Sequence, residues 1–193
     1  PELGAAGRWV TMLDVPLTAI GISHHRAPLE DLAAMSRHGD AVLDRLDGAG
    51  LTGTVLLSTC NRFEIYLDAD EFHPAVDAAR SLIFELAEPD LPEMEEALVL
   101  NVGDGAVEHL FRVACGLESM VVGEREIAGQ VRQALTEHQA TSGPTLRRLF
   151  QAALTTSTKK LPPTFQPEVG EVSDAFIPGL TTNTLLVSEY AER

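Results

Sequence analysis

Positive charge is scarce in this chain. Lysine and arginine number 14 against 29 aspartates and glutamates, a formal net charge of -15. Nonspecific nucleic-acid binding needs a basic footprint, so this balance argues against it and leaves only a localised contact open. The basic residues that are present gather late, at Arg132, Arg147, Arg148, Lys159 and Lys160, while the stretch from Glu85 to Glu96 is acidic. A solvated, mixed-charge surface accounts for that asymmetry. Cysteine is scarcer still, with Cys60 and Cys115 alone. Two thiols build no disulfide framework, and without a CxxC pair or His/Cys ligand spacing no metal site is expected. Reduced thiols fit a cytoplasmic protein. No run approaches the roughly 18 apolar residues of a membrane span, so no membrane partner is expected. The segment Pro1 to Arg8 lacks the basic start and apolar stretch of a signal peptide, and Met12 reads as a natural start preceded by extra residues.

What is there suffices for one good core with an appendage. Val15 to Ile22 reads as a strand entered through Pro16. His24-His25-Arg26-Ala27-Pro28 is a loop, with Pro28 suited to a first helical turn. Apolar residues from Leu29 to Leu46 keep a helical period, with a break at Gly39. Strands are predicted at 53–58 and 62–68, a helix from Ala75 to Leu86, and a fourth strand from Ala97 to Val102. The order is β-α-β-β-α-β, an α+β class with the ferredoxin-like arrangement, followed by a helical segment. In that segment Asp104 is the N-cap candidate for a helix over Ala106 to Cys115. Further helices are predicted from Glu124 to His138 and from Leu146 to Leu154. From Thr155 the composition turns to Thr/Ser and Pro162-Pro163, a linker signature. The expected organisation is a domain over 13–155 and a linker with an atypical tail over 156–193.

Chemistry concentrates at Ser58-Thr59-Cys60-Asn61-Arg62, a polar break between the apolar runs Thr54-Val55-Leu56-Leu57 and Phe63-Glu64-Ile65-Tyr66-Leu67. A strand, a tight turn holding a thiol and a second strand present a nucleophile well, because rigid strands fix the sulfur and the turn exposes it. The neighbouring Arg62 favours the thiolate and can bind a carboxylate. A buried structural thiol is the usual fate of a free cysteine, and the polar turn moves the balance away from it. His109, on a predicted helix, can activate the thiol or relay a proton; a satisfied helix histidine is the plainer alternative. Ser119 with Gly123-Glu124 sets small and acidic groups at a helix start, where Glu124 also complements the helix dipole. Cys115 lies among apolar neighbours and reads as core, and His38, His73 and His138 as surface. Gly48-Ala49-Gly50-Leu51-Thr52-Gly53 fits G-x-G-x-x-G. A helix precedes it and a strand follows, the reverse of a dinucleotide fingerprint, so it reads as a flexible turn.

Three ordered stretches resemble glutamyl-tRNA reductase: Gly21 to Pro28, Ser58 to Tyr66, and His109 to Val131. The resemblance covers roughly 15–155, the catalytic N-terminal domain of that family. It implies that Cys60 attacks the ester joining glutamate to its tRNA. Free tRNA leaves, and NADPH reduces the resulting thioester to glutamate-1-semialdehyde, a tetrapyrrole precursor. Cys60 and His109 are the implied catalytic residues. Thr59, Asn61, Arg62, Ser119, Glu124 and Gln130 are implied to bind substrate, and Glu64 also matches a motif position. The implied partners are glutamyl-tRNA and glutamate-1-semialdehyde aminomutase, with a homodimer in the family. There are departures. Leu29-Glu30-Asp31-Leu32 stands where the family has Arg-Glu, Arg125 is unusual in its stretch, and beyond Ala153 a Lys159-Lys160 pair and an unrelated tail replace the basic segment. NADPH is therefore expected to bind a domain missing from this chain. The alternative is a truncated, non-catalytic module that binds tRNA or a protein partner.

Overall fold

The computed structural model describes residues 17–39, 45–46, 50–86, 91–122 and 126–158. Its strands are β1 (Thr18–Ser23), β2 (Leu51–Thr59), β3 (Arg62–Ala69) and β4 (Val99–Val102). Helix α1 (Leu29–Ser36) follows β1; α2 (Phe72–Leu86) and α3 (Leu91–Ala97) lie between β3 and β4. The chain then continues through α4 (Asp104–Ala114), α5 (Glu126–Glu137) and α6 (Gly143–Ser157). The sheet is antiparallel in the order β2-β3-β1-β4, the ferredoxin-like order.

Both faces of this sheet are covered, which is why its strands read as continuous apolar runs and not as an alternation. Ile20, Ile22, Leu56, Phe63, Ile65 and Leu67 pack against α1 and α2. Leu17, Ala19, Val55, Leu57 and Tyr66 point the other way, into α4, α5 and α6. Period-two alternation thus sends Arg62, Glu64 and Tyr66 to the α4 face. Gly21 pairs with Glu64 across β1 and β3. A Cβ at Gly21 would lie 2.2 Å from the Phe63 carbonyl oxygen and 2.6 Å from Glu64 Cα, so only glycine permits this close approach. The turn between α5 and α6 closes the start of edge strand β2: Thr54 N–H donates to the Thr141 carbonyl at 2.8 Å and Thr141 Oγ1 donates to the Thr54 carbonyl at 3.1 Å.

Several expectations are corrected. Helix α3 was not foreseen, and β4 begins at Val99 instead of Ala97, because Ala97 ends that helix. Helix α2 starts at Phe72, since Pro74 is compatible with a first turn. The N-cap of α4 is Gly103, at φ 59°, and Asp104 is the first helical residue. Pro144 opens α6 at its first turn. Thr155 to Ser157, expected as linker, form the last turn of α6, where Thr155 Oγ1 donates to the Gln151 carbonyl at 2.8 Å and Ser157 Oγ to that of Leu154 at 2.7 Å. His73 is half-buried with its ring edge-on to Phe72, and His138 is half-buried, so neither is simply a surface residue. Cys115 is half-buried rather than core, and that burial raises its thiol pKa. The expectations for Val15, Val42, Leu43, Glu124 and the stretch 159–193 lie outside the described residues. No helix among the described residues is long and apolar enough to cross a membrane.

Candidate active site

The turn between β2 and β3 consists of Cys60 and Asn61, flanked by the register pair Thr59 and Arg62. Cys60 is exposed. The turn is held from three directions. Within it, Asn61 N–H donates to Thr59 Oγ1 at 3.1 Å, the kind of local bond that makes threonine a turn former. From the β1 side, His24 N–H donates to the Asn61 carbonyl at 2.8 Å. From α1, Ser36 Oγ donates to the Thr59 carbonyl at 3.1 Å and itself accepts from Ser58 Oγ at 2.9 Å. The sulfur is therefore carried on a braced backbone.

Beneath the turn, on the α4 face, lies a buried charged cluster. Arg62 is only 1 % exposed. Its Nη1 donates to Glu64 Oε1 at 3.0 Å and its Nη2 to the Glu118 carbonyl at 2.6 Å. Glu64 is the hub: its Oε1 also lies 3.0 Å from His109 Nε2, and its Oε2 accepts from Tyr66 Oη at 2.9 Å. Burial alone would raise the Glu64 pKa; the charge and hydrogen bond of His109, with help from Arg62 and Tyr66, overcome it and hold the carboxyl at about 2. Burial pushes His109 down, but Glu64 outweighs it and the imidazole pKa is raised. Tyr66 is raised by burial and by the adjacent Glu64 charge.

Glu118 joins this cluster to the surface. Its carboxylate accepts from Arg112 Nε at 2.6 Å and stands 3.7 Å from His25 Nε2. A cleft of about 220 Å³ opens here, lined by Gly21, His25, Arg26, Glu64, His109 and Glu118.

The structure brings Thr59, Cys60, Asn61 and Arg62 together in the turn, sets His109 against Glu64, and buries Ser119 next to the Glu118 carbonyl that Arg62 holds. Gln130 lies apart from the charged cluster, on α5, in a second cleft that it shares with Thr59. Glu124 lies outside the described residues. Arg62, read from the sequence as poised for a free carboxylate, is engaged with Glu64. The sequence reading missed His25, Tyr66 and Glu118. The spacing of 62, 64 and 66 on one strand was the available signal for a shared face. The described part of the G-x-G-x-x-G stretch departs from a dinucleotide fingerprint: Leu51 opens a strand and not a helix, and a Cβ at Gly53 would meet the Ser142 carbonyl oxygen at 2.8 Å.

A ferredoxin-like sheet with a thiol on a strand-to-strand turn, backed by a guanidinium–carboxylate–imidazole cluster and a helical layer, defines an α+β domain. The family model described as Glutamyl-tRNAGlu reductase, N-terminal domain, matches residues 20–160. Glutamyl-tRNA reductase of Streptomyces avermitilis is 40 % identical over 149 residues, 74 % of this chain and 26 % of that protein. The Micrococcus luteus protein of the same name is 44 % identical over 142 residues, 70 % of this chain and 31 % of its own length. The solved glutamyl-tRNA reductase of Methanopyrus kandleri superposes with a TM-score of 0.59 at 36 % identity, covering 74 % of this chain and 33 % of that one. The chain belongs to the glutamyl-tRNA reductase N-terminal domain family. It spans about a third or less of the length of these relatives.

Proposed function

We propose that this chain carries out the acyl-transfer half of a glutamyl-tRNA reductase reaction. The Cys60 sulfur attacks the carbonyl carbon of the ester joining glutamate to tRNA. A C–S bond forms, the C–O bond to the terminal ribose breaks, and the ribose oxygen takes up a proton. The observation that carries this reading is the exposed thiol on a braced turn, above a buried cluster in which Glu64 stands 3.0 Å from His109 Nε2 and favours the protonated ring. With its pKa raised by Glu64, His109 suits the role of proton donor to the departing ribose oxygen better than that of a neutral base for the thiol. Thr59 and Asn61 shape the turn around the sulfur. Arg62 and Ser119 support the turn from its buried side, Arg62 with Glu64 as its resident partner.

In the reaction the resemblance implies, NADPH, when bound, would supply a hydride for reduction of the thioester. The G-x-G-x-x-G stretch runs into strand β2 and not into a helix, so no residue of this chain is assigned to that step, and the chemistry read from it ends at the thioester.

Incubation with tRNA carrying labelled glutamate, followed by intact-protein mass spectrometry, tests the reading. A glutamyl adduct is expected on the wild-type chain and lost in Cys60→Ala. The commitment of Arg62 to Glu64 favours a second reading, a non-catalytic binding module. Folded protein that binds the tRNA without forming the adduct selects that second reading.

A further inference from the structure

Arg62 and Glu64 meet through a single hydrogen bond. A guanidinium and a carboxylate commonly meet as a fork, with two parallel N–H···O bonds. Here Arg62 Nη1 donates to Glu64 Oε1 at 3.0 Å, while Nη2 donates at 2.6 Å to the main-chain carbonyl of Glu118. That split leaves Glu64 able to serve two more groups: Oε1 also meets His109 Nε2, and Oε2 accepts from Tyr66 Oη. Arg62 is buried, and a buried donor left without an acceptor is costly. Deprived of the Glu118 carbonyl, Nη2 would turn to the carboxylate its neighbour already touches. The fork would then close on both oxygens, at the expense of His109 and Tyr66.

The position of that carbonyl is set from α4. The helix ends in a Schellman turn: Gly116, at φ 75°, donates its N–H to the Val113 carbonyl and Leu117 donates to the Arg112 carbonyl, both at 2.9 Å. The chain doubles back, and Glu118 lands beside the Arg112 side chain, whose Nε donates to Glu118 Oε1 at 2.6 Å. Past buried Ser119 the apolar packing ends, because Met120, Val121 and Val122 are all exposed. His25 Nε2 stands 3.7 Å from Glu118 Oε2, but its side chain is more than half exposed and adds little. Arg112 is therefore the main side-chain anchor of the segment that presents the carbonyl.

We infer that Glu118 is a positioning residue: anchored by Arg112, it offers its carbonyl to Arg62, keeps Arg62 from closing a fork on Glu64, and so leaves Glu64 to hold His109. The inference rests on the acyl-transfer reading, in which His109 gives a proton to the departing oxygen. Neither Glu118 nor Arg112 takes part in that proton transfer; they act through Arg62 and Glu64.

The test uses the full chain and Arg112→Gln, a change at a side chain that is 32 % exposed. The charges acting on His109 are Glu64 and Arg62 from β3 and Glu118 from the segment after α4. Removing the Arg112 cation acts directly on His109 only in the direction of a higher titration. Releasing Glu118 acts in the opposite direction, because His109 loses its hold on Glu64. The His109 ring, followed by NMR in a variant with native circular dichroism, should therefore titrate at lower pH than in the wild type. Cys60 adduct formation from two α-esters of glutamate gives the second readout. The ethyl ester, whose leaving oxygen needs a proton, should react about tenfold more slowly, part of what general acid catalysis supplies. The p-nitrophenyl ester, whose leaving oxygen needs none, should keep its wild-type rate. Arg112→Lys keeps the charge but not the Nε contact, so it should show the same two changes in smaller measure, and it serves alone where Arg112→Gln fails to fold. A His109 titration that is unchanged or raised, or equal slowing with both esters, overturns the inference. A lowered titration with no Cys60 adduct from either ester, in the wild type as in the variants, leaves the positioning of Glu64 and His109 standing and sinks the acyl-transfer reading.

Discussion

At the scale of single residues, Glu64 decides most. It is a buried carboxylate with three partners, and it raises the pKa of His109 against the opposing effect of burial. Its folded pKa of about 2 lies below the ordinary 4.5, so its stabilisation is complete above 4.5 and is lost as pH falls toward 2. His109 is raised above the ordinary 6.5, so its share is complete below 6.5 and is lost as pH rises through the folded value. The pair therefore contributes most between about pH 4.5 and 6.5 and less on either flank. Replacing Glu64 with Gln leaves Arg62 and His109 without a counter-charge, at a cost of about 3–5 kcal/mol. Urea midpoints measured across pH 3–8 should lose their acid flank in this variant, and the His109 ring should titrate below its wild-type pH by NMR. An unchanged His109 titration refutes the pairing as the cause of the shift. Part of this site was legible in the sequence: the polar pentapeptide marked Cys60, Thr59, Asn61 and Arg62. The engagement of Arg62 was not, because a one-dimensional pattern shows which residues share a strand face but not what stands opposite that face.

At the scale of elements, glycine positions separate close packing from simple permissiveness. At Gly21 a Cβ would fall 2.2 Å from the Phe63 carbonyl oxygen. Gly21→Ala must force β1 from β3 and disturb Glu64, with an expected loss of about 3 kcal/mol or more in urea unfolding. Gly129 is the contrast: it is an exposed position on α5, and a Cβ there meets nothing within 4 Å. Gly129→Ala should stabilise the chain by about 0.5–1 kcal/mol. If both variants move the midpoint alike, the contact at Gly21 is not the reason for its glycine. The elements themselves were mostly readable, since β1, β2, β3 and α4 carry strong apolar patterns. Helix α3 was missed because it has seven residues, of which Met94 and Ala97 are buried, too short a stretch for a 3.6-residue period to emerge.

At the scale of the whole molecule, the sheet is the shared wall of two cores. Phe150 on α6 sits edge-on to Tyr66 with ring centroids 5.1 Å apart, and Tyr66 in turn holds Glu64. On the opposite face Ile83 of α2 is fully buried. Phe150→Ala should cost about 3–5 kcal/mol and Ile83→Ala about 2–5 kcal/mol. Because both cores share each strand, each variant should lower one common unfolding transition seen by far-UV circular dichroism and calorimetry. Only Phe150→Ala should also change the His109 titration, through Tyr66 and Glu64. Two separate transitions would mean that the helical segment and the sheet unfold independently.

The sequence by itself determined the alternation of strands and helices, the ferredoxin-like order and the turn that holds Cys60, because each of these follows from local apolar periodicity and turn chemistry. Its three motif stretches also carried the family, which the comparisons then showed. Only the tertiary structure decided that α4, α5 and α6 cover the second sheet face, that His109 pairs with Glu64, and that Gln130 lies across from the charged cluster in a cleft of its own. Those relations join residues 45 or more positions apart, as with Glu64 and His109, and depend on which helix packs on which face. That choice is made by the burial of both faces together, and no local stretch of the chain encodes it.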